Sequence, residues 1–268
     1  MIILSSSLVL SPGGQDLNAP VIGWQNLVRF GGVTADSQDT DFPASHLANA
    51  ATTYRWQSAS TATQYVTVDT SPDDPVDYMG LARHNLGSAQ VTVSVEAYIS
   101  GSWTEVFAPF IPGTDSPILM RFTEVPTAEL FRLKLVPDGV APTIAVMYLG
   151  KLLVLERRIY VGHTPLPYGR GTEFTNAVSE NGDFQGRITL RERLETSVSL
   201  SNLTPAWYRN KLDPFFSGGK DQAFFFGWRP LTYPDGVGYA WLTNNPKPSN
   251  QRSNGMMQVA MQMGGLVL

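Results

Sequence analysis

Between Arg187 and Leu200 the chain alternates without a break. The even positions are Ile188, Leu190, Glu192, Leu194, Thr196, Val198 and Leu200. The odd ones are Arg187, Thr189, Arg191, Arg193, Glu195, Ser197 and Ser199. Successive side chains of a strand point to opposite faces, so this segment predicts one strand with an apolar and a charged face. Its 14 residues would reach ~48 Å at ~3.4 Å each, against a usual strand of ~17–20 Å. A strand that long predicts a β-ribbon extending into a neighbouring subunit. Asn181-Gly182 ahead of it is a hairpin signal, because both residues tolerate positive φ. The first arm of the ribbon is then expected near Gly171–Ser179.

The first half reads as short strands: Tyr65–Asp69, Tyr78–Arg83, Val91–Ile99, Trp103–Phe110, Ile118–Glu124, Leu130–Val136 and Thr143–Leu149. Val91, Val93, Val95 and Ala97 alternate with Thr92, Ser94, Glu96 and Tyr98. The breaks carry turn chemistry: Ser71-Pro72-Asp73-Asp74-Pro75, Ser100-Gly101-Ser102, Pro112-Gly113 and Pro137-Asp138-Gly139. Ser100-Gly101 predicts a tight hairpin. Strands spaced in this way, with no helical period between them, predict an antiparallel sandwich. The apolar opening Met1–Leu10 has no basic residue before Arg29. It reads as a first strand ending at Ser11-Pro12-Gly13-Gly14, not as a signal peptide.

His163-Thr164-Pro165-Leu166-Pro167 reads as a linker, which divides the chain into residues 1–155 and 156–268. Past the ribbon, Thr204 and Pro205 predict a helix with Thr204 as N-cap, ending near Asp213 because Pro214 follows. Further strands are expected over 223–228, Tyr239–Leu242 and Met256–Gly264. The run Phe224-Phe225-Phe226-Gly227-Trp228 leaves no position for solvent. It is buried on both faces, either in the core or against a partner. The fold class is therefore all-β: an antiparallel β-sandwich followed by a second β domain with one short helix.

Composition agrees. Charged residues make up 16% of the chain, with 24 Gly and 19 Pro, as in a turn-rich β protein. No cysteine is present, so thiol metal and redox chemistry is excluded. No stretch approaches the ~20 apolar residues of a membrane helix. Residues 1–155 carry 7 basic and 14 acidic side chains, and residues 156–268 carry 12 and 9. Neither balance provides the footprint needed for nucleic acid.

Chemistry is sparse. His46, His84 and His163 stand apart, with no HExxH and no GxSxG. Gly169-Arg170-Gly171 lacks the Lys-Ser/Thr of a phosphate loop. A β-sandwich hydrolase would need convergent carboxylates, and no pair is distinctively placed. The expectation is no enzyme, no catalytic residue, no cofactor and no metal. The clusters Asp36, Asp39, Asp41 and Asp73, Asp74, Asp77 have calcium as one reading and solvated turns as the other. Trp56, Trp103, His84 and Asn85 combine stacking faces with polar groups and are the candidate carbohydrate contacts. Against that, Trp in a sandwich mostly supplies core area. Arg187, Arg191, Arg193, Phe225 and Trp228 are the candidate oligomer contacts.

Pro43-Ala44-Ser45-His46-Leu47 followed by Tyr54-Arg55-Trp56-Gln57-Ser58 resembles the start of a discoidin-like (galactose-binding-like) jelly roll. Tyr65–Asp69 and then the run Val76-Asp77-Tyr78-Met79-Gly80-Leu81-Ala82-Arg83-His84-Asn85-Leu86-Gly87 extend that resemblance, and the run also resembles a segment recurring in tail proteins of long-tailed bacteriophages. Phe224-Phe225-Phe226-Gly227-Trp228-Arg229-Pro230, after a ribbon and a helix, is similar to minor or distal tail proteins with a tail-tube-like fold. The resemblance implies a tail-tip or baseplate component in the virion, made in the host cytoplasm. It would form a homo-oligomeric ring, hexamer or trimer, contacting tail tube, hub and tape-measure proteins. The sandwich would project outward and could meet host surface glycan. The alternative is a carbohydrate-binding adhesin module. No binding residue carries over from the resemblance.

Overall fold

A computed structural model of the chain describes residues 1–10, 16–70, 75–159, 162–251 and 253–267. In chain order the strands are β1 (Ile2–Leu4), β2 (Val21–Gly23), β3 (Val33–Ala35), β4 (Trp56–Gln57), β5 (Gln64–Asp69) and β6 (Val76–His84). They continue with β7 (Thr92–Ile99), β8 (Ser102–Phe110), β9 (Ile118–Val125), β10 (Leu130–Val136), β11 (Thr143–Gly150) and β12 (Leu153–Val154). The last are β13 (Arg170–Val178), β14 (Phe184–Leu203), β15 (Phe224–Gly227), β16 (Val237–Leu242), β17 (Ser249–Asn250) and β18 (Met257–Gly265). The fold is all-β, as the alternation predicts.

Three sheets are stacked. The outer sheet has the order β3-β5-β10-β7-β8 and the middle sheet β1-β9-β6-β11-β4. The third has the order β12-β2-β15-β16-β18-β14-β13, with β17 on β18. The hairpin at Ser100-Gly101 is as expected. Both residues have positive φ, 52° and 84°, the geometry that matches the twist of the flanking strands.

The middle sheet is buried on both faces. Met79 and Leu81 of β6, with Met147 and Leu149 of β11, pack on Val66, Val95 and Leu133 of the outer sheet. Tyr78 and Ala82, with Val146 and Tyr148, face the other way onto Phe225, Val237 and Tyr239 of the third sheet. This is why β6 and β11 are apolar at nearly every position rather than at every second one. The Phe run divides in the same way. Phe225 points at the middle sheet, while Phe224 and Phe226 point at Leu212, Phe215 and Phe216 beyond the third. Phe225 is therefore an interior residue with no exposed surface, not an oligomer contact. Its burial within the chain resolves the open choice between core and partner.

Chain order does not separate the sheets. β2 and β12, both before residue 156, pair with each other, and β2 also pairs with β15. A division at 155 thus cuts through the hydrogen bonding of the third sheet. The helical segment also runs further than expected. Pro205–Trp207 leads through a wide π-type turn at Tyr208–Leu212 into a helix over Asp213–Gly218. Pro214 lies in the first turn of that last helix, where its missing N–H costs little. Thr204 occupies the N-cap position but makes no side-chain cap bond. Its backbone N–H instead donates to Glu156 Oε2 at 2.8 Å. The first strand stops at Leu4 instead of running on to Leu10, while Ser11–Gly14 and the turn at Ser71–Asp74, with Asp73 and Asp74, lie outside the described residues.

Candidate functional site

The ribbon formed by β13 and β14 is exposed over most of its length. β13 and β14 pair from Arg170↔Leu194 to Val178↔Phe184. Past Leu194, β14 enters the body and pairs with β18. In the body Thr196, Val198, Leu200 and Leu203 are buried. Outside it, every residue of Thr172–Val178 is exposed, as is every residue from Phe184 to Arg193 except Gly186. The turn at its tip differs from the expected one. Of Asn181 and Gly182 only Gly182 has positive φ, at 89°. Gly182 N–H donates to Ser179 O at 2.9 Å, and Ser179 N–H closes on Asp183 O at 2.9 Å. The loop is thus a longer turn ending in a left-handed glycine.

The ribbon does not keep one apolar face. Residues directly opposite each other in an antiparallel pair share a face. Phe174 is opposite Thr189, Ile188 is opposite Thr175, and a register shift between Glu173 and Phe174 leaves Leu190 without an opposite residue. A bulge of this kind moves side chains to the other face. The result is large apolar side chains spread around the ribbon: Phe174 is 42% exposed, Val178 57%, Phe184 64%, Ile188 68% and Leu190 60%. Sequence reasoning missed Phe174, Val178 and Phe184. Their signal is position, on arms flanking a predicted hairpin with no third strand to cover them.

The three predicted arginines do lie on this ribbon. The Arg187 guanidinium stacks over the Phe174 ring at 3.8 Å, and its Nε donates to Asn176 Oδ1 at 2.8 Å. Arg193 pairs with Glu195 at 3.1 Å, and Arg191 lies opposite Glu173. Trp228 stands apart from them, half-buried in the body. It stacks on Tyr233 at 5.3 Å and 4° and meets His163 at 5.3 Å. At the root of the ribbon Gly169 is packed so closely that a Cβ would lie 2.0 Å from Glu195 O. The root is therefore held at the backbone while the arms project.

The four candidate sugar contacts do not form one surface. Trp56 is fully buried in the sandwich core, with its Nε1 donating to Ser37 O at 3.1 Å. His84 is 6% exposed. The Asn85 amide donates to Ala141 O at 3.0 Å and accepts from Thr143 N–H at 2.8 Å, closing one loop on another. Trp103 is half-exposed on β8, at the edge of the outer sheet. The Arg132 guanidinium sits over its ring at 4.0 Å and over Tyr65 at 4.1 Å. Trp56 and His84 are thus corrected from ligand contacts to core residues, and Asn85 to a loop clasp. Only Trp103 keeps a partly accessible ring.

His84 has a defined electrostatic role. Burial lowers its pKa from the ordinary 6.5 to about 4, against smaller opposing effects of Asp115 and the Ser116 carbonyl. Nε2 lies 3.1 Å from Ser116 O, while Nδ1 accepts the Leu86 N–H at 3.3 Å. This network fixes the neutral tautomer with the proton on Nε2. Protonating Nδ1 would set an N–H against an N–H. Above pH 6.5 the ring is neutral in both folded and unfolded chains and has no effect on pH dependence. Between pH 6.5 and about 4 the unfolded chain takes up a proton that the folded chain refuses. The resulting loss of stability is roughly 3 kcal/mol over that window. His84→Gln retains a donor and an acceptor but does not titrate. Urea midpoints of the parent are expected to fall more steeply than those of His84→Gln between pH 7 and 4. Parallel slopes would refute the assignment.

The acidic clusters are structural where described. Asp36 Oδ2 accepts the Tyr65 N–H at 3.1 Å, and Asp39 Oδ1 accepts the Asp41 N–H at 3.0 Å. Asp77 is buried, with Oδ2 2.8 Å from Lys151 Nζ and Oδ1 accepting the Leu152 N–H at 2.7 Å. Among the described residues no group of three or more His, Asp or Glu gathers as a metal site. No helix among them is long and apolar enough to cross a membrane.

About half of the chain is similar to solved carbohydrate-binding modules. Chitosan-binding module 1 of a chitosanase/glucanase from Paenibacillus sp. IK-5 is 21% identical, at a TM-score of 0.42 over 48% of this chain and 100% of that one. A Clostridium perfringens module solved with GalNAc-β-1,3-galactose is 12% identical, at 0.41 over 47% and 100%. The family 32 module of C. perfringens NanJ, solved with galactose, is 15% identical, at 0.41 over 47% and 98%. No family model matches the chain, and no curated protein matches it.

Proposed function

We propose that this chain is a structural subunit that assembles with copies of itself through the β13–β14 ribbon. The observation that carries the reading is the projection itself. Five large apolar side chains, each 42% or more exposed, lie on a two-stranded ribbon outside the body. A two-stranded ribbon alone is at best marginally stable in water, and large apolar side chains exposed on both of its faces favour burial against another surface. Pairing or packing against a neighbouring copy satisfies both requirements. The sequence resemblance supplies the setting: a ring, hexameric or trimeric, at the tail tip of a long-tailed bacteriophage. Tail tube, hub and tape-measure proteins would be its neighbours and the virion its location. The sandwich would then be the outward-facing part.

The test is the solution mass of the purified chain by light scattering over a range of concentrations. A discrete trimer or hexamer is expected. A chain that stays monomeric throughout would overturn ribbon-driven self-assembly. The adhesin reading through Trp56, His84 and Asn85 is disfavoured, because those side chains are buried or committed to the fold.

A further inference from the structure

A groove follows the junction of the middle and third sheets, centred on Trp24. Its wider end has a volume of about 580 Å³ and is lined by Gln25, Asn26, Arg29, Lys151 and Gln222 as well as Trp24. Its narrower end, about 230 Å³, shares Trp24, Gln25 and Lys151 and adds Trp207, Asn210 and Lys211. The wider end falls within the size range of ligand clefts and the narrower end just below it, and the walls are more polar than is usual for a small-molecule pocket. Among the described residues no Asp or Glu lines either end, although acidic residues outnumber basic ones in the chain, 23 to 19.

The walls are built before any ligand arrives. A Cβ at Gly218 would lie 2.7 Å from Trp24 Cζ3, so the indole rests directly on the helical segment. The Phe215 ring meets it edge-on at 6.0 Å, and Gln222 Nε2 donates to Trp24 O at 3.0 Å. The Tyr78 hydroxyl donates to Gln25 O. Asn26 Oδ1 accepts the N–H of Val28 at 3.0 Å and of Leu149 at 3.2 Å. Leu27 N–H donates to Leu149 O at 2.7 Å. The middle sheet and the helical segment therefore hold one short segment between them, and Trp24 keeps a half-buried place. A site held in this way loses little freedom on binding.

The charges are distributed along the groove. Lys151 is balanced from behind by Asp77 and Glu124. Arg29 lines the wider end and Lys211 the narrower one; both are exposed, with Trp24 between them. An indole face takes the C–H face of a pyranose, the side-chain amides of Gln25, Asn210 and Gln222 suit hydroxyls, and a guanidinium or ammonium suits a carboxylate. Two outlying cations are too few for a phosphate backbone, which draws on several more. We propose that this groove binds a short anionic oligosaccharide rich in uronic acid, with Trp24 as the stacking platform and Arg29 and Lys211 as the carboxylate contacts. The proposal does not rest on ribbon-driven assembly.

The experiment is calorimetric titration of the full chain, at low salt, with hexasaccharides of galacturonate, mannuronate and glucuronate. Neutral maltohexaose and poly-L-glutamate serve as comparisons. At least one uronate is expected to bind, about tenfold or more tighter than maltohexaose, a difference of 1.4 kcal/mol. Binding should weaken with salt, and Trp24→Ala and Lys211→Glu should each lower affinity about tenfold. Trp103→Ala should leave it unchanged. Lys211 is exposed, so Lys211→Glu decides the matter should Trp24→Ala fail to fold. Absence of binding to all three uronates overturns the proposal. So does equal binding of poly-L-glutamate, or affinity untouched by Lys211→Glu.

Discussion

A chain carrying Phe184→Ser, Ile188→Ser and Leu190→Ser is expected to remain monomeric at concentrations where the parent is oligomeric, with an unchanged unfolding midpoint. The three side chains are 64%, 68% and 60% exposed in the single chain. Replacing exposed residues changes folding stability by only about 0.5 kcal/mol either way. If a neighbour buries them, each contributes about 1.5–3 kcal/mol to association. Their combined loss is then roughly 5 kcal/mol or more, over a thousandfold in the association constant. Light scattering reads the mass, and a thermal melt reads the fold. An oligomer that survives the triple substitution would place the contact surface elsewhere. Wholesale deletion of Thr172–Leu200 is a poorer test, because it also removes Thr196, Val198 and Leu200 from the core.

Phe225→Ala is expected to give the opposite pattern: a large loss of stability with the oligomeric mass retained. Phe225 lies between the middle and third sheets, 5.5 Å from Tyr148 and 5.1 Å from Tyr239 by ring centroids. Its ring fills the space over Gly80, where a Cβ would lie 2.6 Å from Cε2. Tyr148 and Tyr239 are themselves anchored, donating to Ala223 O at 2.8 Å and Ala50 O at 2.7 Å. Neighbours held in this way do not collapse into a cavity, so the cost falls in the ~3–5 kcal/mol range for Phe→Ala. In a chain of this size that lowers the melting temperature by roughly 10 °C. A loss below about 1 kcal/mol would mean that the two sheets are not coupled through this residue. Comparing the two variants separates what holds one copy together from what joins copies.

Strand positions were legible because alternation is a local property. Leu130–Val136 is a strand over the residues expected, and Thr143–Leu149 extends by one, to Gly150. Ser100-Gly101 turns as two consecutive positive-φ residues must. The helical segment was legible at its start, where Pro205 lies at the first position, but not at its end. The wide turn at Tyr208–Leu212 has no local sequence signal; its buried residues Tyr208 and Leu212 share a cluster with Phe224 and Phe226. The projection of the ribbon was legible in its length. Its mixed faces were not, because a bulge shows only when the two arms are in register.

The candidate sites divide in the same way. Arg187, Arg191 and Arg193 could be placed together on the ribbon because they lie within one periodic segment. Trp56 and His84 were misread because residue type reports chemistry and not burial. The groove at Trp24 left no local trace, since Trp24 and Gln222 are separated by 198 positions. The sequence by itself determined an all-β chain, most strand positions, the hairpins and an arm too long for its own domain. Only the tertiary structure decided that the middle sheet is covered on both sides, that Phe225 belongs to the interior and that Trp24 and Lys151 line two adjoining cavities, one reached by Arg29 and the other by Lys211. The period of a strand records that it has two faces, whereas what covers each face is set by packing between segments distant in the chain.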